Sequence, residues 1–266
     1  MRPASDVASL LSAINPTENH VNASDIASLP SGPSLRQRLD PTRGLFISFE
    51  GTEGSGKSTQ IALLAQKLRR MSWPVTVLRE PGGTPIGEEI RHTLKHSKDN
   101  DAMTPETELL LMNASRAQLV REIIRPAVAE GKIVLCDRFY DSTTAYQGYG
   151  RQLDPDVVRS IIALAAGDTR PDLTLLFVIP PELSEERRLA RQAVMAFMRD
   201  RFEEADRGFF ERVERGYAAI AAAEPDRVRV IDASGSLESI SFAVWGIVAP
   251  IVEALLSRRL NPEGQS

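Results

Sequence analysis

The chain has 266 residues, enough for one α/β domain with a substantial core. Its formal net charge of −4 argues against a general affinity for nucleic acid, so any anion binding must come from individually placed cations. The single cysteine, Cys136, excludes an intrachain disulfide framework and fits a reducing, cytoplasmic setting, and His20, His92 and His96 show no zinc-ligand spacing. No uninterrupted apolar stretch approaches the roughly 18 residues of a membrane span, and the N-terminus lacks the basic-then-apolar pattern of a secretory signal.

Residues 1–43 are rich in Ser, Pro, Asn and Asp, and Pro16, Pro30, Pro33 and Pro41 break any long periodicity. Within them Ser5-Asp6-Val7-Ala8-Ser9-Leu10 nearly recurs as Ser24-Asp25-Ile26-Ala27-Ser28-Leu29, each able to cap a helical turn. The composition predicts a disordered extension over 1–43, an ordered domain over 44–260 and a short tail over 261–266. Order is expected from Leu45, where Leu45–Phe49 reads as a strand buried on both faces. Ile61, Leu64, Ala65, Leu68 and Met71 then recur at helical spacing. Val75–Leu78, Ile133–Cys136, Leu173–Ile179 and Val228–Ile231 are further strands. Helices are predicted over Ile86–Lys95, Pro105–Ala129, Pro155–Ala166, Glu182–Met195, Glu203–Ala223 and Leu237–Leu256. Strands alternating with helices predict a five-stranded parallel sheet covered on both faces, with working residues at the strands' carboxyl ends.

Between the first strand and first helix, Gly51-Thr52-Glu53-Gly54-Ser55-Gly56-Lys57-Ser58 matches G-x-x-x-x-G-K-[ST] without a mismatch. Glycines let successive N–H groups turn inward toward phosphate oxygens, and the following helix, with Thr59 in its first turn, adds its positive end. Lys57 would reach the β- and γ-phosphates of ATP, and the Ser58 hydroxyl would help hold Mg²⁺. The pattern predicts a P-loop nucleotide-binding fold; switches, motors and kinases all share it. No Asn-Lys-x-Asp guanine reader is present.

Four more segments decide among these. They are Arg79-Glu80-Pro81-Gly82-Gly83-Thr84, Ser115-Arg116-Ala117-Gln118, the run Asp137-Arg138-Phe139-Tyr140-Asp141-Ser142-Thr143-Thr144-Ala145-Tyr146-Gln147-Gly148, and Asp200-Arg201-Phe202-Glu203. Asp137-Arg138 closes a strand at the sheet edge where phosphates would lie, and a guanidinium there can clamp an acceptor phosphate bidentately. In order and spacing these segments resemble thymidylate kinases from about Leu45 to the C-terminus. The resemblance implies a nucleoside-monophosphate-kinase fold that moves a phosphoryl group from ATP to dTMP with Mg²⁺. It also implies a homodimer, because the family commonly pairs through helices.

By the same resemblance Arg91 joins Asp137 and Arg138 around the dTMP phosphate, and Arg116 hydrogen-bonds the thymine carbonyl. Thr143 and Gln147 lie near base and sugar, and Glu53 accepts from the sugar 3′-hydroxyl. Tyr140, Tyr146 and Tyr149 read as packing of the pocket wall. Where the family has a phenylalanine over thymine, this chain has Met112, whose polarizable thioether can still cover the base. Gly54 and Ser55 leave the phosphate loop without an added basic residue, which implies the variant with arginines on a lid around 184–202. Arg191 and Arg199 are the lid candidates for the catalytic set with Lys57 and Arg138, while Arg187 and Arg188 read as an ordinary charged helix. The lid lacks the usual glycine and carries an apolar run over 193–198. Two rivals stand beside this reading: a kinase for another acceptor, such as dUMP or a modified nucleotide, and a catalytically silent nucleotide-gated module.

Overall fold

The computed structural model describes residues 40–97, 102–180, 182–184, 186–187 and 206–260. Five parallel strands form one sheet in the order β2-β3-β1-β4-β5: β1 (Leu45–Gly51), β2 (Val75–Arg79), β3 (Ile133–Asp137), β4 (Leu173–Val178) and β5 (Val228–Asp232). This is the expected α/β architecture, each strand found within two residues of its predicted bounds. The strand at the centre is β1, and its side chains alternate between two cores. Leu45, Ile47 and Phe49 face one core with Ile61, Leu64 and Leu68 of α1 (Lys57–Arg70) and with the last helix. Phe46 points the other way, into a cluster with Leu119, Ile124, Val134, Cys136 and Phe139. Burial there pushes the Cys136 thiol well above its ordinary pKa, so it packs as an apolar group.

Along β2 to β3 run α2 (Pro85–His96), α3 (Pro105–Leu119), a π-helical turn (Val120–Ile124) and α4 (Arg125–Ala129). The sequence predicts one unbroken helix over 105–129. Pro126 explains the widened turn: its ring lacks an N–H and crowds the carbonyl four residues back, so the helix shifts register just before it. After β3 come α5 (Tyr140–Thr143), a π-helical stretch (Thr144–Gly150) and α6 (Pro155–Ala166). Between β4 and β5 lies α7 (Arg207–Ala223), whose N-cap Asp206 is extended and accepts from the Phe209 N–H, so no helix runs through from 203 as predicted.

The last helix, α8 (Leu237–Leu260), corrects the reading of apolar stretches. By length and composition it could cross a membrane, with a mean hydropathy of 1.9 over its most apolar window. Ser239, Ser241, Gly246, Pro250 and Glu253 interrupt the run, which is why counting consecutive apolar residues passes over it. Here Ile240, Val244, Val248, Ile251, Val252 and Leu255 are buried in the sheet's core. At its end Arg259 donates to the carbonyls of Pro41 (3.2 Å), Arg43 (3.1 Å) and Gly131 (3.1 Å). Arg43 pairs with the buried Asp172, which also accepts from the Phe46 N–H at 2.8 Å.

Candidate active site

The loop between β1 and α1 opens at Gly51, where φ is 130° and a Cβ would sit 2.3 Å from the Phe177 carbonyl oxygen. Only glycine fits so close an approach at that backbone angle. Gly56, at φ 84°, precedes the first turn of α1, and Thr59 lies exposed on that turn. Lys57 is buried and turned into the loop. Its Nζ donates to the carbonyls of Gly51 (3.0 Å) and Thr52 (2.7 Å) and to Ser55 Oγ (3.2 Å). Burial, with the nearby Arg138 charge, lowers its pKa to about 8.

Ser58 Oγ donates to Asp137 Oδ2 at 2.7 Å across the end of β3. A hydroxyl and a carboxylate side by side are hard oxygen ligands, which suits Mg²⁺. Among the described residues no group of three His, Cys, Asp or Glu could hold a metal alone. An ion at Ser58 and Asp137 would draw its other ligands from phosphate and water, as Mg²⁺ does with nucleotides.

Beside the loop opens a cleft. Six residues expected at the acceptor line it: Glu53, Met112, Arg116, Arg138, Thr143 and Gln147. Two do not. Asp137 is turned to Ser58, and Arg91 donates to the Pro81 carbonyl at 2.8 Å, while Lys95, one turn further along α2, takes a place in the wall. Of the three tyrosines expected in the pocket wall, Tyr146 lines the cleft and Tyr140 and Tyr149 do not; Glu80, Pro81 and Ser142 complete the wall and have no role in the sequence reading. The signal for Glu80 lay in the chain: an acidic residue directly after an apolar strand, in the quoted Arg79–Thr84 segment.

Arg138 sits at the junction of loop and cleft with φ at 72°, a backbone angle unusual for a side chain of its size. Its Nη2 donates to Glu53 Oε1 (3.2 Å) and the Tyr146 hydroxyl (3.1 Å), and its Nη1 to Ser142 Oγ (3.1 Å) and the Tyr217 hydroxyl (3.2 Å). Burial opposes its charge, yet Tyr146, Tyr217, Glu53 and Asp137 hold its pKa well above the ordinary value.

Arg116 is buried at the cleft floor. Its Nε and Nη2 donate to Glu80 Oε2 at 2.8 and 2.6 Å, and its Nη1 to Asn113 Oδ1 and Thr143 Oγ1, both at 2.8 Å. Burial raises the Glu80 pKa, and the guanidinium acts against that rise. Gln147 Nε2 donates to the buried Glu108 at 2.8 Å, which fixes the amide's orientation.

At the loop's other side, Ser184 Oγ donates to the Glu53 carbonyl (2.8 Å) and Arg187 to the carbonyls of Gly54 (3.3 Å) and Ala233 (3.2 Å). Arg187 thus ties the start of the expected lid to the phosphate loop, where a solvated helix face was expected. Arg191 and Arg199 lie outside the described residues, as does Asp200–Glu203.

The family model for thymidylate kinase matches residues 49–244. This chain belongs to the thymidylate kinase family. It is 48% identical over 201 residues to a thymidylate kinase of Syntrophotalea carbinolica, covering 75% of this chain and 93% of that one. It is 49% identical over 206 residues to one of Geobacter sulfurreducens, covering 77% and 96%. The crystal structure of a thymidylate kinase from Ehrlichia chaffeensis superposes with a TM-score of 0.61 at 32% identity, covering 77% of this chain and 98% of that one. The chain is therefore an enzyme, a nucleotide-binding phosphotransferase. In this chain two cations lie side by side, Lys57 turned into the loop and Arg138 at the edge of the cleft.

Proposed function

We propose a division of labour for the reaction that this chain catalyses, transfer of the γ-phosphoryl group of ATP to dTMP giving dTDP. Residues Gly51–Thr59 bind the triphosphate, and Lys57 exchanges its neutral carbonyl partners for β- and γ-phosphate oxygens. Ser58 and Asp137 would hold Mg²⁺, which neutralises charge on the phosphates when bound. Arg138 binds the acceptor phosphate, with Lys95 and Arg91 adding positive charge from α2. Arg116 donates to the thymine carbonyl, Met112 covers the base, and Thr143 and Gln147 border base and sugar. Glu53 accepts from the 3′-hydroxyl. Arg191 and Arg199, outside the described residues, remain the candidates for lid charge on the moving group.

The observation that carries this reading is Arg138, one guanidinium that bonds Glu53 of the phosphate loop while lining the acceptor cleft. Positioning and electrostatic stabilisation are most of what phosphoryl transfer asks of a protein. The catalytic unit is taken as residues 44–260, with residues 1–43 dispensable for the chemistry. The buried thiol of Cys136 supports a cytoplasmic setting. A homodimer is supported by the exposed apolar side chains Leu110, Val157 and Leu164 on the adjoining helices α3 and α6.

Coupled ADP release measured with dTMP, dUMP and dCMP tests the reading. The expected order is dTMP, then dUMP, with dCMP far behind, because the cytosine amino group would face Arg116 donor to donor. Activity on dCMP equal to that on dTMP would overturn the role of Arg116.

A further inference from the structure

Glu50 is the residue directly before the phosphate loop, buried at the end of β1 on the face away from α1. It is not among the residues lining the acceptor cleft, and no step of the proposed mechanism uses it. A carboxyl in such a place is unfavourable unless its oxygens are occupied. They are. Oε1 accepts from the Phe139 N–H at 2.7 Å, and Oε2 accepts from the hydroxyls of Ser142 (2.5 Å) and Tyr217 (3.2 Å).

Those same two hydroxyls, 2.9 Å apart, accept both bonds of Arg138 Nη1. Each hydroxyl has one proton and two lone pairs. To accept from a guanidinium, it must send its own proton elsewhere. Glu50 Oε2 takes the proton of Ser142, and Tyr217 gives its proton to the same oxygen or to Ser142. Burial and the nearby Asp141 raise the Glu50 pKa to about 8, against which the bonds from Ser142 and the Phe139 N–H and the Arg138 charge favour the ionised form. In that form, which Arg138 stabilises, the carboxylate sets the direction of the bonds running inward from Arg138 Nη1.

The backbone repeats the arrangement. Arg138 N–H donates to the Phe49 carbonyl at 2.9 Å and the Phe139 N–H to Glu50, so two consecutive residues of β1 pin the peptide on either side of an arginine at positive φ. Tyr217 comes from α7, so the acceptor arginine is held from β1 and α7 together.

We infer that Glu50 and Tyr217 are positioning residues for the acceptor phosphate, holding Arg138 Nη1 so that the guanidinium meets the monophosphate in one fixed orientation. This rests on the proposed role of Arg138. Neither residue touches substrate.

Glu50→Gln keeps the shape and reverses the polarity. With its carbonyl retained for the Phe139 N–H, its amide NH₂ faces the two hydroxyls and turns their protons toward Arg138. The expected result is a rise of about ten- to a hundredfold in KM for dTMP, with KM for ATP unchanged. Tyr217→Phe removes one acceptor and is expected to raise KM for dTMP about tenfold. Glu50→Asp, which keeps the charge, should recover part of the loss.

Both effects should vanish when Arg138 is already Ala, because the arginine they act through is gone. Effects on KM for dTMP that persist undiminished in the Arg138→Ala background would show a merely structural role and overturn the inference. Raised KM in Arg138→Ala with normal KM in both Glu50→Gln and Tyr217→Phe would overturn the inference while leaving the role of Arg138 standing. Unchanged KM for dTMP in Arg138→Ala would remove that role, and the inference with it. If Glu50→Gln fails to fold, Tyr217→Phe and its pairing with Arg138→Ala decide alone.

Discussion

Lys57, which is buried, and Arg138, which is part-buried, are cations at one sheet edge, and they are held in opposite ways. Every partner of Lys57 described above is a neutral oxygen within six residues of it in the chain. Arg138 instead bonds the carboxylate of Glu53, 85 residues away, and the hydroxyl of Tyr217, 79 residues away. The pKa values follow: burial brings Lys57 down to about 8, while its anionic and phenolic neighbours keep Arg138 raised. A cation held by neutral carbonyls is ready to exchange them for an anion. One fixed by a carboxylate and three hydroxyls from several elements is pre-organised, and its geometry selects what binds.

Three experiments break or sharpen that contrast. The largest effect is expected from Lys57→Ala, a loss of about two to three decades in turnover with ATP and dTMP. Because the side chain leaves behind only neutral oxygens, the melting temperature should stay close to that of the parent. A large fall in melting temperature, or near-normal turnover, would end the picture of Lys57 as an exchangeable donor-side cation.

Next is pH. In the proposed reading the ammonium of Lys57 binds phosphate, and its depressed pKa means that the charge is present below about pH 8 and is lost as pH rises through that value. Affinity for ATP should accordingly weaken above pH 8, approaching about tenfold per pH unit for a single ionisation. The Lys57→Ala enzyme should lack this step. An equal step in both enzymes would assign the ionisation to another group.

The smallest effect is on the acceptor side, in base selection. Thymine and uracil share the carbonyl that Arg116 is proposed to read, so in that reading discrimination rests on one methyl group in the cleft, worth about 1–3 kcal/mol. With Met112 over the base, preference for dTMP over dUMP should fall near the low end. Met112→Phe should tighten dTMP binding by less than about tenfold, since a flat ring loses less freedom on stacking. Unchanged kcat/KM for both nucleotides would show that Met112 does not face the base.

Much of the fold was legible because its signals are local. Each strand announces itself by a short apolar run, and α6 begins and ends at its predicted residues because Asp154 caps it and Gly167 follows it. The misreadings have local causes too: Pro126 widens a helix without ending it, and Asp206 starts a helix that apolar spacing alone extends backwards. Whether α8 packs or spans is not a local matter. Its hydropathy suits either, and only the sheet beneath it shows where Val244, Val248 and Val252 go.

The site divides along the same line. By itself the sequence located the loop proposed for the donor, because such a cradle is made of consecutive backbone groups, and the glycines, Lys57 and Ser58 that shape it are near neighbours in the chain. The tertiary structure decided the half proposed for the acceptor: that Asp137 bonds Ser58, that Lys95 rather than Arg91 lines the cleft, that Glu80 pairs with Arg116, and that Glu50 and Tyr217 stand behind Arg138. Hydrogen-bond direction and ion pairing act over about 3 Å, and residues scores of positions apart come within that distance only when β1, β3, α3 and α7 have packed.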